Sequence, residues 1–313
     1  MTEKNRVNLP SFLIVGAAKS GTSSLHSYLA THPDVFLPEV KETWFWHIIS
    51  NPNKAIYDIH SQIVDDFSDY LKLFEGKENK VCGEACPSYL YYYDYTIENL
   101  KKWHSNYHDL KIVIILREPV SKVKSHFKFV RNTLGVMEDS TLKEALAKEG
   151  NRLSLNNVLY DLFYYDSTRY YQQVKAYKDN FKHVKVLLLD DLKRDPKKVM
   201  TELSEFISID PSLFDQAIYD KRYNVGNKEY VPANALGEIG NAVLGPHSYK
   251  RKLTKLIPPV LKAFIRNKIM ARGYKEPEYF DDETLRDLKE RFRPEVEKLS
   301  KLIDVDLVKT WGY

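Results

Sequence analysis

Apolar residues in this chain fall into two kinds of run. Phe12, Leu13, Ile14 and Val15 are consecutive and stop at Gly16, residues 112–116 are five aliphatics in a row, and residues 184–189 are almost as continuous. Runs of that length without alternation predict strands buried on both faces, as in a parallel sheet. Shorter segments at 34–38 and 80–84 read as further strands, the first stopped by Pro38. Between them the spacing turns helical. Leu25, Tyr28 and Leu29 follow Gly21 until His32-Pro33 ends the run. Ile56, Ile59, Ile63, Phe67, Tyr70, Leu71 and Phe74 mark a second helical stretch, and residues 96–107 a third. Pro119 fits the first turn of a helix carrying Val120, Val123, Phe127 and Val130. Helices are also expected over 140–149, 157–180, 196–206, 250–272 and 282–302, with a long loop over 224–246. Strands alternating with helices predict an α/β fold whose central sheet is mainly parallel. The expected organisation is a single domain over 1–313 with a helical C-terminal region from about 248.

Composition narrows the function classes. At 43% apolar and 29% charged residues, the 313-residue chain has the balance of a globular protein rather than a disordered one. Its net charge of +4 is small and its lysines are dispersed, so no nucleic-acid partner is expected. Two cysteines, Cys82 and Cys86, are too few for a disulfide framework or a four-ligand zinc site. No apolar run reaches membrane-spanning length, and the N-terminal apolar stretch runs into Lys19 and Gly21 without a cleavage site. The expectation is a soluble, cytoplasmic protein. Of the 22 tyrosines, many cluster at 89–95 and 160–171, where they either form core or line a cleft.

The chemistry starts at residues 16–24, Gly-Ala-Ala-Lys-Ser-Gly-Thr-Ser-Ser. A turn bounded by glycines between a strand and a helix leaves backbone N–H groups converging on an anion, usually a phosphate. The spacing resembles a P-loop, G-x-x-x-x-G-K-[ST], except that Thr22 stands where a nucleoside-triphosphatase has lysine and Lys19 lies inside the loop. That lysine normally reaches the β- and γ-phosphates, so its displacement argues for a different phosphate ligand. A second anion signal is Arg117, at the carboxyl end of the clearest strand, where open α/β sheets bind ligands. Ser125 follows in the next helix. The bland alternatives are a solvated Lys19 and an Arg117 paired with Glu118. A Mg-ATP kinase or nucleoside-triphosphatase is the rival enzyme, with Asp190 after Leu189 as its metal-supporting aspartate, and a noncatalytic nucleotide-binding protein is the third class.

Taken together, residues 12–25 and 111–125 resemble the sulfotransferases that use 3′-phosphoadenosine 5′-phosphosulfate (PAPS), and the resemblance extends from about Pro10 to Trp311. Lys19-Ser20-Gly21-Thr22-Ser23-Ser24 is similar to the family's 5′-phosphosulfate loop, and Arg117 with Ser125 to its 3′-phosphate signature. Residues 69–74, 83–89, 190–192 and 306–311 are supporting matches. The resemblance implies a P-loop-like three-layer fold with helices flanking the sheet. It also implies that Lys19 contacts the oxygen bridging phosphate and sulfuryl, that Thr22, Ser23 and the loop amides hold the 5′-phosphate, and that Arg117 and Ser125 hold the 3′-phosphate. Adenosine 3′,5′-bisphosphate (PAP) is then the product and no metal is required.

Lys41-Glu42 resembles the Lys-Glu pair of the heparan-sulfate-like branch, where the glutamate deprotonates the acceptor. Desolvation by Trp44, Phe45 and Trp46 is expected to raise the Glu42 pKa and suit it to that role. His47 is the reserve base, with His26 and His126 ranked lower because each sits inside an expected helix. Two departures bear on the acceptor. Ala85 stands where glycan-modifying relatives often carry lysine, and the N-terminal anchor of Golgi relatives is not found. The resemblance is therefore to soluble bacterial members acting on a hydroxyl or amine of a small molecule, lipid or sugar. Acceptor identity, O- versus N-sulfation and oligomeric state stay open, and Lys228 in the 224–246 loop is a further candidate phosphate contact.

Overall fold

The computed structural model describes residues 9–50, 63–131, 141–155, 160–215, 218–219, 231–232, 274–275 and 279–313. Among them, β1 (Phe12–Gly16), β2 (Val35–Phe36), β3 (Val81–Ala85), β4 (Lys111–Leu116) and β5 (His183–Leu188) form one sheet in the order β2-β3-β1-β4-β5. Every neighbouring pair is parallel, and β1 sits centrally, with Phe12 opposite Gly83 on one side and Lys111 on the other. The chain leaves β1 toward β2 and leaves β4 toward β5, in opposite directions across the sheet. Loops after two adjacent strands that diverge in this way open a crevice at the carboxyl edge. The expected α/β fold with its parallel sheet is thus observed.

Burial on both faces explains why the strand runs do not alternate. Phe12, Ile14, Val113, Ile115 and Leu187 belong to one core cluster. It also takes Leu25 and Leu29 from α1 (Thr22–Leu29), Leu189 and Leu192 from α9 (Leu189–Arg194), and Met200 and Leu203 from α10 (Pro196–Ile207). The residues between them, Leu13, Val15, Ile112, Ile114 and Leu116, are equally inaccessible to solvent. Each such side chain contributes about 1.5–3 kcal/mol relative to exposure.

The remaining helices are α2 (Phe45–Ile48), α3 (Phe67–Lys72), α4 (Ser88–Tyr91), α5 (Tyr93–Trp103), α6 (Pro119–Phe129), α7 (Leu142–Leu153), α8 (Tyr170–Asn180), α11 (Asp282–Ile303) and α12 (Leu307–Trp311). Side-chain caps set several of their starts: Asp66, Glu118, Asp195 and Asp281 each accept N–H groups of the first turn. Asp66 begins α3 well inside the stretch expected from 53 to 74, whose residues 53–62 lie outside the described set.

One expectation holds only in part. Of the helix expected over 157–180, α8 supplies the second half; before it the chain makes 3-10 turns at Tyr160–Leu162 and Asp166–Thr168, and residues 157–159 lie outside the described set. The cause is the carboxylate of Glu149 on α7, which accepts the backbone N–H groups of Tyr164, Tyr165 and Asp166 at 2.9, 3.0 and 2.7 Å. Donors bound to a side chain are lost to an α-helical ladder.

The chain divides into two compact units, residues 1–224 with 280–313, and residues 225–279. Within the second, β6 (Val231–Pro232) pairs antiparallel with β7 (Tyr274–Lys275). The rest of the expected 224–246 loop, Lys228 included, and the expected 250–272 helix lie outside the described residues.

Candidate active site

The loop between β1 and α1 is shaped by close backbone approach. Gly21 adopts φ 103°, and a Cβ there would lie 2.8 Å from Leu189 Cδ1. Lys19, although not glycine, holds φ 63°. Ala17 N–H donates to Ile115 O at 2.8 Å, fastening the loop to β4. Gly21 caps α1 without a side chain accepting from the first turn, so the N–H groups of Thr22 and Ser23 stay free of intrahelical partners. With the dipole of α1 behind them they favour an anion. Gly21→Ala places a methyl group against Leu189 at a φ that costs about 1–2 kcal/mol for an L-residue. The expected result is a lower Tm, read by thermal melts of the variant beside the parent protein.

Adjacent strands bring the two sequence-predicted anion signals together. Arg117 directly follows β4, and its Nη1 donates to Lys19 O at 3.3 Å. Ser125 sits half-buried two turns along α6, whose start is held by Glu118 Oε1 and Oε2 accepting from Val120 N–H (2.9 Å) and Ser121 N–H (2.7 Å). Within the loop Ser20 and Thr22 are buried, while Ser23 and Ser24 keep part of their surface. Ser23 Oγ accepts from Lys41 Nζ at 2.6 Å, which ties the segment carrying Glu42 to the start of α1.

Lys19 is surrounded by charge. Burial pushes its pKa down; the Glu42 carboxylate opposes that shift, Arg117 and Lys41 reinforce it, and Asp161 opposes it. Its Nζ lies 4.0 Å from the centre of the Phe129 ring, a cation–π contact that orients the ammonium. Three cations and two carboxylates therefore share one region at the carboxyl edge of β1 and β4.

Glu42 reaches this group differently from the expectation. Its side chain is 40% exposed and pairs with Lys41 Nζ at 3.2 Å. The aromatic residues after it turn into the protein instead of enclosing it, with Trp44, Phe45 and Trp46 all buried. The premise of a desolvated base is corrected accordingly: the carboxylate is accessible. His47 is fully buried, stacked on Tyr92 at 4.6 Å, and burial depresses its pKa to about 3. His26 on α1 and His126 on α6 are both depressed to about 4, chiefly by burial.

Other residues join this region only through the tertiary structure. Lys41, the sequence neighbour of Glu42, does so through its bond to Ser23. Asp161 is 5% exposed, with its Oδ1 3.8 Å from His126 Nε2, and lies in the 3-10 turn Tyr160–Leu162. Next to it, Lys122 is buried, donates to Ser167 Oγ at 2.6 Å, and has its pKa pushed down to about 7 by burial. Among the tyrosines, Tyr91 stacks on Tyr160 at 5.7 Å and Tyr160 meets Trp44 edge-on at 6.2 Å. Tyr91 and Tyr92 also line a pocket of about 340 Å³ together with Asp166 and Arg169.

A glycine-bounded loop after the central strand, bonded to an arginine after the neighbouring strand, gives the chain the layout of a P-loop-like α/β fold. Comparison with known proteins makes the class specific: the sulfotransferase domain family matches residues 9–241, and the chain belongs to that family. It is 24% identical over 262 residues to the bifunctional heparan sulfate N-deacetylase/N-sulfotransferase of Drosophila melanogaster, covering 77% of this chain and 23% of that protein. It is 25% identical over 122 residues to the membrane-associated sulfotransferase kil1 of Dictyostelium discoideum, covering 39% and 23% respectively. The chain thus spans about a quarter of the length of these curated relatives. A sulfotransferase from Alicyclobacillus acidocaldarius superposes with a TM-score of 0.67 at 25% identity, covering 98% of this chain and 100% of that one. The kinase reading is not favoured by these matches, and its metal-supporting candidate, Asp190, falls in the first turn of α9. Among the described residues, no helix is long and apolar enough to cross a membrane.

Proposed function

We propose that this chain transfers a sulfuryl group from PAPS to a hydroxyl or amine of a small-molecule, lipid or sugar acceptor. The observation that carries this reading is the placement of Lys19 inside the loop, with Arg117 bonded to its carbonyl and Glu42 acting on its charge. The residues suit the donor: N–H groups of the loop and of the start of α1 for the 5′-phosphate, and Arg117 with Ser125 for the 3′-phosphate. When bound, PAPS supplies the sulfuryl group and leaves as PAP. Lys19 stabilises the negative charge that grows on the bridging oxygen, so its effect is larger in the transition state than in the ground state. Glu42 accepts the proton that the acceptor loses as its new bond to sulfur forms. Arg117 and the loop amides hold the nucleotide in line, and none of these roles calls for a metal.

The tyrosine pocket is the acceptor side of this reading, since Tyr91 connects through Tyr160 to Trp44, two residues beyond Glu42. A cytoplasmic location goes with it and is checked by cell fractionation. The reading is tested by ³⁵S transfer from labelled PAPS to a panel of simple alcohols, amines, sugars and lipids. Thermal melts supply an acceptor-independent check. PAP at a hundredfold excess over its Kd is expected to stabilise the protein by about 2.7 kcal/mol without added metal. A larger shift from Mg-ATP than from PAP would overturn the assignment.

A further inference from the structure

Beneath the segment that carries Glu42 lies a buried carboxylate. Glu84, on β3, is 1% exposed. Three hydroxyls donate to it: Thr43 Oγ1 at 2.5 Å and Tyr89 OH at 2.7 Å to Oε1, and Tyr70 OH at 2.6 Å to Oε2. Burial raises its pKa, and the hydrogen bonds from Thr43, Tyr70 and Tyr89, which favour the charged form, oppose that shift. A buried carboxylate held only by hydroxyls is an expensive group, and an apolar side chain of similar volume is commonly tolerated better.

Directions of donation show what the charge does. The indole N–H of Trp46 can only donate, and Tyr70 OH accepts it at 2.8 Å, leaving the tyrosine proton for Glu84 Oε2. The backbone N–H of Trp46 donates to Tyr89 OH at 3.3 Å and that of Phe45 to Thr43 Oγ1 at 3.4 Å, and each hydroxyl donates onward to Oε1. Three donor chains from residues 43–46 therefore end on one carboxylate. The same segment holds two residues in the left-handed region, Glu42 at φ 61° and Trp44 at φ 63°, on either side of Thr43. Such conformations persist only where the surroundings over-determine them. Glu42 N–H donates to Ala85 O at 3.2 Å, next to Glu84, and Val64 N–H donates to Thr43 O at 3.0 Å.

We propose that Glu84 is a positioning residue for the acceptor base: its carboxylate, acting through Thr43, fixes the backbone turn that presents Glu42 beside Lys19. This rests on the reading of Glu42 as the base. Glu84→Gln keeps the size of the side chain, but its amide NH₂ meets a hydroxyl whose proton is already committed, so one donor chain must break.

Turnover is measured with labelled PAPS and whichever acceptor of the panel reacts fastest, beside the Kd for PAP. E84Q is expected to lower kcat about 10²-fold, the scale of a 1 Å misplacement of a reacting group, with PAP affinity unchanged. T43V is expected to follow E84Q, and T43S, which retains the hydroxyl, to restore turnover relative to T43V. In an E42Q background neither E84Q nor T43V lowers kcat further. Multiplicative losses in that background, or PAP affinity falling in step with kcat, would make Glu84 a purely structural residue and overturn the proposal. If E84Q does not fold, T43V carries the test, because it leaves Glu84 its two tyrosine donors. An E42Q enzyme that turns over normally overturns the base assignment, and the proposal with it. An inactive E42Q beside fully active E84Q and T43V overturns the positioning role alone.

Discussion

Replacing Lys19 with alanine is expected to lower kcat at least about 10²–10³-fold, the loss seen when one donor to a developing oxyanion is removed. PAP affinity is expected to change by less than about tenfold, or 1.4 kcal/mol. The asymmetry follows from position. On the proposed reading the loop amides and Arg117, which remain in K19A, hold the phosphates in both ground and transition states. The ammonium is useful chiefly when charge appears on the bridging oxygen, and its contact with Phe129 at 4.0 Å limits the directions in which it points. Single-turnover kinetics with labelled PAPS, read beside PAP titration, separate the two effects. Unchanged single-turnover rates would remove Lys19 from the chemistry. Parallel loss of rate and affinity would make it a phosphate ligand instead. Burial also lowers the pKa of this lysine. A group depressed in this way loses its proton at lower pH than an ordinary lysine, so turnover falls off early on the alkaline side. The K19A enzyme lacks that limb of the profile.

Much of this architecture is legible in the chain because burial on both faces leaves an uninterrupted signature. β1, β4 and β5 fall where the apolar runs place them, and α6 and α10 begin where Pro119 and Pro196 open their runs. The two anion signals were also separately visible, at Lys19 and Arg117. Their bond at 3.3 Å was not, since it requires β4 to lie beside β1, and residue spacing carries no strand order. Long-range polar partners were hidden for the same reason. Glu84 meets Thr43 across 41 positions of sequence and Tyr70 across 14, and Glu149 takes the N–H groups of Tyr164, Tyr165 and Asp166 from a different helix. That last interaction defeated the periodicity of residues 157–180, because it diverts backbone donors that apolar spacing assigns to a helix. The environment of Glu42 failed differently. Neighbouring aromatics suggest desolvation only if they face the carboxylate, and left-handed residues at Glu42 and Trp44 turn the rings inward instead.

Glu42→Gln is the second substitution with a large expected effect: a drop in kcat of about 10²–10⁴-fold, the usual contribution of a positioned general base, with PAP affinity kept. An acceptor hydroxyl must lose its proton as its oxygen bonds to sulfur, and the proton needs an acceptor within reach. Of the two carboxylates acting on Lys19, Glu42 is 40% exposed, whereas Asp161 is nearly inaccessible and faces His126. Exposure thus favours Glu42 over Asp161 as the base of the proposed reaction. Its pairing with Lys41 at 3.2 Å is compatible with the role, because Lys41 is shared with Ser23 Oγ at 2.6 Å and anchors the carboxylate near the loop. Glutamine keeps the shape and one acceptor oxygen but cannot take a proton at neutral pH. Asp161→Asn gives the control. If D161N loses turnover while E42Q keeps it, the buried carboxylate is the base and the proton leaves toward His126. Equal losses of turnover and PAP affinity in E42Q would instead make Glu42 a structural partner of Lys41.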